Sequence, residues 1–274
     1  MSMEESNHER RFGGLRRLYG EKATHRLAGA HVIVAGIGGV GSWVAEALAR
    51  SGVGQLTLAD LDHVAESNVN RQIHALTQTM GMAKVQAMAG RIEGINADCQ
   101  VNLFDDFVEA GNINALLTEN RPDLLIDCTD QASAKIAMIL ACRQHKIPFI
   151  MCGGAGGKTD PLSLRAGDLS QAHNDALLAR LRNILRKQHG YPKGSDRNGK
   201  TLKRIPKMNV SCFWFDQPAI LPDAWLAGRE NNAGQAGVAL QGLSCAGYGS
   251  CVTVTASMGM AVANAAVQEI LNIN

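Results

Sequence analysis

The stretch His31-Val32-Ile33-Val34-Ala35-Gly36-Ile37-Gly38-Gly39-Val40-Gly41 decides the fold. Its first five residues are a β-branched, apolar run with the length of a fully buried strand, and residues 40–51 carry apolar side chains at helical spacing. Between the two, Gly36, Gly38 and Gly41 form a GxGxxG turn. The first glycine permits the turn, the second lets backbone approach a ligand, and the third lets helix and strand pack closely. Free N–H groups and partial positive charge at the helix start then suit an anion such as a phosphate.

Moving outward, the same alternation repeats. Residues 55–59, 100–104, 123–127 and 148–152 read as strands, and residues 82–95 and 132–145 as helices. Strands alternating with helices of about a dozen residues imply a doubly wound, mostly parallel α/β sheet of the Rossmann-like kind. The second half changes character. Residues 176–187 read as a basic helix, 191–207 as a mobile surface loop rich in Gly, Pro, Lys and Arg, and 210–215 as a strand. Residues 228–237 read as a polar loop and 248–270 as a helix rich in small residues. The expected architecture is one α/β domain over residues 1–274, with a C-terminal extension of further strands, a basic loop and the small-residue-rich helix. No internal repeat or domain linker interrupts it.

Composition narrows the class. The net charge is only +2, so any nucleic-acid binding must come from a local patch. Seven cysteines are scattered without a CxxC pair, which favours reduced thiols and a cytoplasmic location over a disulfide framework or a zinc site. The N-terminus is polar and lacks a signal-peptide core. The segment 248–270 has no charge before Glu269, yet Ser250, Thr253, Thr255, Ser257, Asn264 and Gln268 argue for a buried or dimer-facing helix, not a membrane span.

The glycine turn alone says only that a nucleotide binds. Asp60, ending the second strand, is placed to accept hydrogen bonds from ribose hydroxyls, and a dehydrogenase would fit equally well to this point. Arg71 and Lys84 break the tie, because splitting ATP requires cations over the phosphates and a dinucleotide oxidoreductase does not. Asp130, just past the fourth strand, is placed to hold magnesium through oxygen. Singly, each has a plain alternative: Lys84 a solvated helix start, Arg71 a salt-bridge partner, Asp130 a helix cap. Their joint order behind the glycine turn carries the reading.

GIGGVG, LADLDHVAESNVNRQ, GMAKV and DCTD together resemble the adenylating domain of the ubiquitin-activating superfamily, which includes the bacterial MoeB and ThiF proteins. The resemblance runs over roughly residues 12–160. It implies an ATP site holding Gly36, Gly38, Gly39, Gly41, Asp60, Asp62, Asn68, Arg71, Gln72, Lys84 and Asp130. Within that set Asp60 would take the ribose, Asn68, Arg71 and Lys84 the phosphates, and Asp130 the magnesium and the reacting phosphate. It also implies a homodimer in which an arginine of the arm 1–30 reaches the partner's ATP site. Arg11 and Arg17 are the candidates, with Arg17 favoured.

RFGGLRRLYG, NRQIHAL, DDFV, CRQHKIPFI, GGAGGKTDP and SCAGYGS resemble one branch, the tRNA threonylcarbamoyladenosine dehydratase family. This likeness covers nearly the whole chain and weakens between about 185 and 243. It implies ATP-dependent cyclisation of threonylcarbamoyladenosine beside a tRNA anticodon, and a link to a cysteine desulfurase system. The rival within the superfamily is adenylation of a ubiquitin-like sulfur carrier, whose activators typically carry two CxxC zinc pairs that are missing here. An NAD-binding oxidoreductase and a non-catalytic partner of a sulfur-transfer complex are the other rivals.

Arg182, Arg186, Lys187, Lys193, Lys200, Lys203 and Arg204 lie in the variable basic region 175–243 and are the expected RNA contacts. The bland reading is a solvated helix face plus a loop. Cys152-Gly-Gly-Ala-Gly-Gly157-Lys158-Thr159 nearly spells a P-loop, but a cysteine replaces its first glycine and Asp160-Pro161 stand where a helix should continue. That loop is expected under the substrate, with Lys158 at its rim, and whether a sodium or potassium ion stiffens the glycine-rich loops is open. Cys212 and Cys245 read as buried apolar residues.

Overall fold

The structure is a computed structural model that describes residues 3–196, 198–200, 202–221 and 248–272. Two N-terminal helices, α1 (Met3–Tyr19) and α2 (Glu21–Gly29), precede β1 (His31–Ala35), α3 (Gly41–Arg50) and β2 (Gln55–Ala59). Then come α4 (Lys84–Ile95), β3 (Gln100–Phe104), α5 (Ile113–Asn120), β4 (Leu124–Asp127), α6 (Ala132–His145) and β5 (Phe149–Cys152). The chain continues through β6 (Leu164–Asp168), α7 (Ala176–Gln188), β7 (Ser211–Phe215) and α8 (Val252–Asn272).

The seven strands form one sheet in the order β3-β2-β1-β4-β5-β7-β6. All neighbours are parallel except the pair β6–β7. After β3 the chain returns to the far side of β1, so the strand order reverses between β1 and β4. There Ala35 pairs with Asp127, and both strands end level. A reversal of this kind opens a crevice beyond the carboxyl ends of the strands.

Every residue of β1 is buried because both sheet faces are covered. Val32 and Val34 face a core shared with α3, α4 and α8, while Ile33 and Ala35 face α5 and α6. The small residues of α8 let it lie close on α3: a Cβ at Gly259 would come 2.7 Å from the Cβ of Trp43. This helix is therefore a core element, and no described helix is long and apolar enough to cross a membrane.

Several elements escaped the periodicity. The eight residues of α5 are too short to show a 3.6 repeat, and β6, Leu-Arg-Ala-Gly-Asp, is a half-exposed edge strand held by antiparallel pairing with β7. Residues 1–30 contain two helices, and the second is bound into the domain: Leu27 is buried in the core and Arg26 donates to the carbonyl of Leu271 in α8. The basic loop is anchored at its start, where Tyr191 is buried with the Arg143 guanidinium 5.1 Å from its ring centroid. The loop expected at 228–237, Cys245 and the end of the basic region lie outside the described residues.

Candidate active site

The crevice between β1 and β4 holds a cleft of about 490 Å³, lined by Gly36, Gly38, Gly39, Asp60, Arg71 and Asp130 among others. Two glycines are obligatory for its shape. Gly36 has φ +84°, and a Cβ there would lie 2.9 Å from the backbone of Cys128 and Thr129. A Cβ at Gly41 would lie 1.8 Å from the carbonyl oxygen of Gly36. α3 starts at Gly41, and its Ser42, Trp43 and Val44 amides already donate to the carbonyls of Gly38 and Val40, so an anion above the loop is met by the positive end of the helix and by the glycine turn ahead of it.

Asp60 is 8% exposed and braces this loop. It accepts from the Ile37 N–H at 2.6 Å and from the Asp62 N–H at 2.9 Å. Burial raises its pKa above the ordinary carboxylate value, an effect opposed by the Lys84 ammonium and by these amides. A carboxylate has about four acceptor positions, so Asp60 retains capacity for ribose hydroxyls. Lys84 opens α4 and is largely buried, with its Nζ 2.6 Å from Asp62 Oδ2, while the Asp62 side chain is 56% exposed.

Arg71 is fixed through its backbone, whose carbonyl accepts from Trp43 Nε1 at 3.0 Å. Its stem packs on the glycine loop: a Cβ at Gly39 would sit 3.3 Å from Arg71 Cγ. One guanidinium nitrogen donates to the Ser67 carbonyl at 2.7 Å and to Asn70 Oδ1 at 2.9 Å, which leaves other donors of the fork for a ligand. Asn68 spends its oxygen on the Ala65 N–H at 3.1 Å. Gln72 is buried, lines the cleft, and its Oε1 has no partner among the described residues.

Asp130 is exposed in the cleft, and no described residue bonds to it. It does not cap α6, whose N-cap is Gln131. Beneath it lies a feature the sequence reading missed. Asp127 and Lys135 are both 0% exposed and paired at 3.1 Å. Asp127 Oδ1 accepts from the Thr129 amide at 3.0 Å and hydroxyl at 2.7 Å, and Lys135 Nζ donates to the Cys152 carbonyl at 2.8 Å. Burial raises the Asp127 pKa against the pull of Lys135; burial would also lower that of Lys135, but Asp127 together with the Cys152 and Cys128 sulfurs raises it above its ordinary value. The pair therefore stays ionic and ties the ends of β4, α6 and β5 together under the cleft. A lysine in the apolar run Ala-Ser-Ala-Lys-Ile-Ala was its one local signal.

Phe107 also lines the cleft, beyond β3, at 45% exposure, and Ser250 and Thr255 line it from α8 and its approach. Gly153, Ala155 and Gly156 reach it from the loop after β5. That loop is held by Asp175, which accepts from the Gly154 N–H at 2.8 Å and caps α7. Lys158 is not at the rim, contrary to expectation. It is 4% exposed and donates to the carbonyls of Asn174 and Gln217, so a cation of the chain itself braces this region. A short 3₁₀ turn, Pro161–Ser163, follows where a P-loop would need a helix.

The remaining sequence candidates lie elsewhere. Arg17 is exposed near the end of α1, and Arg11 donates to the carbonyls of Gly94 and Ile95 at the end of α4 in the same chain. Arg182 donates to the carbonyls of Leu169 and Ala172, and Arg186 to that of Pro192, so both half-buried side chains bond to the protein's own backbone. Lys187, Lys193, Lys200, Lys203 and Arg204 are exposed. Cys212 is fully buried, and burial pushes its thiol up to about 12.

Among the described residues no cluster of three or more His, Cys, Asp or Glu is placed to hold a metal ion. Asp130 nonetheless fits magnesium, which keeps its waters and is commonly bound by one or two carboxylates plus substrate phosphates. A single free carboxylate facing a phosphate loop is that arrangement.

Comparison with known proteins agrees with this geometry. Residues 10–274 match the ThiF family. The chain is 38% identical to the tRNA threonylcarbamoyladenosine dehydratase of Haemophilus influenzae, covering 97% of this chain and 95% of that protein. It is 40% identical to the Escherichia coli protein of the same name, covering 95% and 93%. A crystal structure of the E. coli tRNA N6-threonylcarbamoyladenosine dehydratase in complex with ATP superposes with a TM-score of 0.79 at 38% identity, covering 96% of this chain and 94% of that one. The chain belongs to the ThiF family, within its tRNA threonylcarbamoyladenosine dehydratase branch.

Proposed function

We propose that this protein uses ATP to cyclise threonylcarbamoyladenosine next to the anticodon of tRNA. The observation that carries the reading is the joining of a glycine phosphate loop to Arg71, Lys84 and an unpaired Asp130 in one cleft, in a chain alike over its length to such dehydratases. The threonyl carboxylate attacks the α-phosphate of ATP, and the bond to pyrophosphate breaks. The carbamoyl nitrogen then attacks the activated carbonyl, AMP leaves, and a five-membered ring closes with net loss of one water. The second nucleophile belongs to the same molecule, so ring closure gains from proximity and needs no enzyme nucleophile.

In this scheme the glycine turn and the positive end of α3 cradle phosphate, and Asp60 orients the ribose. Arg71, Lys84 and Asn68 offset the charge of the departing pyrophosphate, with Asp62 setting the Lys84 ammonium and Gln72 adding a polar contact. Magnesium bound at Asp130 would supply further charge neutralisation. Lys187, Lys193, Lys200, Lys203 and Arg204 dock the RNA backbone, with Arg182 and Arg186 fixing α7 behind them. The protein works as a cytoplasmic homodimer in which Arg17 approaches the partner's cleft, and it exchanges with a cysteine desulfurase system.

Incubation with ATP, magnesium and tRNA bearing threonylcarbamoyladenosine tests the proposal by nucleoside mass. The expected product lacks one water, and unchanged nucleoside with folded protein and verified substrate would refute it.

A further inference from the structure

Two cysteines that the proposed chemistry does not use meet on the floor of the cleft. Cys128 follows β4 and Cys152 ends β5, one step beyond the pair Asp127–Met151 in two adjacent parallel strands. Both are free, and their Sγ atoms are 3.6 Å apart. Neighbouring strands lie about 4.8 Å apart, inside the Cα separation of roughly 4.4–6.8 Å that a disulfide spans. Cys128 is half-buried and lines the cleft, whereas Cys152 is 1% exposed behind it.

We propose that Cys128 and Cys152 are an oxidisable dithiol that closes to a disulfide with a peroxide-class oxidant and switches off the nucleotide site. The loss of nucleotide use rests on the function proposed above; the cross-link itself does not. The Cys128 thiolate attacks one peroxide oxygen, the O–O bond breaks, and the released oxygen leaves as water after taking a proton. The resulting sulfenic acid is attacked at sulfur by Cys152, its S–O bond breaks, and a second water leaves. Two thiols and one peroxide thus give one disulfide and two waters.

The cleft admits a small oxidant to Cys128, and the buried Lys135 ammonium, bonded to the Cys152 carbonyl at 2.8 Å, offsets only part of what disfavours the Cys128 thiolate. The neighbouring Cys152 sulfur, burial and the Asp127 carboxylate hold the Cys128 thiol well above its ordinary pKa, so little thiolate forms and the pair stays reduced until an oxidant is abundant. The glycine turn packs directly on Cys128, since a Cβ at Gly36 would stand 2.9 Å from the Cys128 backbone. A Cβ at Gly41 would already stand 3.1 Å from its Cβ, and its N–H donates to the Ala35 carbonyl at 2.8 Å. Drawing Cys128 toward β5 must therefore disturb the phosphate loop.

The test treats the full-length protein with hydrogen peroxide at mildly alkaline pH, then alkylates the remaining thiols in denaturant and maps the peptides. The expected result is two fewer alkylated cysteines and a linked Cys128–Cys152 peptide. AMP formation should fall on the order of a hundredfold, as misplacement by about an ångström can cause, and a dithiol reductant should restore it. Cys152→Ser should form AMP at the untreated rate and resist inactivation, and magnesium ATP should slow the cross-link in the parent protein. The proposal is overturned by full alkylation after peroxide, by Cys128 sulfinic acid without a link, or by a link that leaves AMP formation unchanged. A reduced protein that never forms AMP refutes the functional reading of the cleft and leaves the cross-link result standing by itself.

Discussion

Around the cleft, Asp60, Lys84, Asp127 and Lys135 are buried, and each has its partner set by a strand end or a helix start. Beyond α7, Lys193, Lys200, Lys203 and Arg204 stand in solvent. Buried, wired charges act at full strength without rearrangement, which suits bond-breaking at phosphorus. Exposed charges are screened by salt and adaptable, which suits a long polyanion held by its backbone. Arg182 and Arg186 sit at the boundary, basic in sequence but spent on carbonyls in space.

The sharpest way to break this contrast is the buried pair. Lys135→Met strips the buried Asp127 of its cation and should cost about 3–5 kcal/mol in urea unfolding, with Asp127→Asn added to it recovering most of the loss. A wild-type midpoint for the single variant would mean that the pair does not hold the cleft together. Next in size, Arg71→Ala and Lys84→Ala should each slow pyrophosphate release by about 10²–10³-fold at unchanged melting temperature. Equal losses of melting temperature and rate would assign them to structure instead.

The third test uses acid. His74 is 1% exposed, neither ring nitrogen has a partner among the described residues, and burial, aided by Lys84 and Arg91, lowers its pKa from 6.5 to about 4. The folded state therefore needs the neutral ring. Its contribution is complete above pH 6.5 and is lost as pH falls through about 4, a limb worth roughly 3 kcal/mol. His74→Leu should flatten that limb of the stability profile. An unchanged profile would place the acid sensitivity elsewhere.

The smallest effect belongs to the exposed cations. Replacing Lys193, Lys200, Lys203 and Arg204 together by alanine should weaken tRNA binding about tenfold and reduce the slope of log affinity against log salt by roughly three. ATP-dependent steps without tRNA should not change. Arg182→Ala should instead lower stability and leave the salt slope alone. The opposite pattern would erase the distinction between the two regions.

Much of the cleft was legible in order along the chain. Gly36, Gly41, Asp60, Lys84 and Asp130 lie along the alternating strands and helices from β1 to just past β4, each near a strand end or helix start that periodicity locates, while Arg71 sits in the loop between β2 and α4. Lys158 was misplaced because a lysine after glycines looks exposed, and only the approach of Asn174 and Gln217 buries it. The strand β6 was missed because its partner β7 lies more than 40 residues later. The roles of Arg182 and Arg186 were hidden because their acceptors are backbone carbonyls of the turns before and after the helix, which no residue pattern marks.

The sequence by itself determined the alternation of strands and helices and the glycine turn that faces phosphate. Both are written in local spacing, and two of the turn's glycines are demanded by backbone distances that no other residue satisfies. Only the tertiary structure decided that β4 lies beside β5. That adjacency brings the Cys152 carbonyl to the Lys135 of the buried ion pair, and Cys128 to Cys152, beneath the cleft. Strand order is set by how the helices cover the two faces of the sheet, a property of the packed whole that no stretch of residues carries.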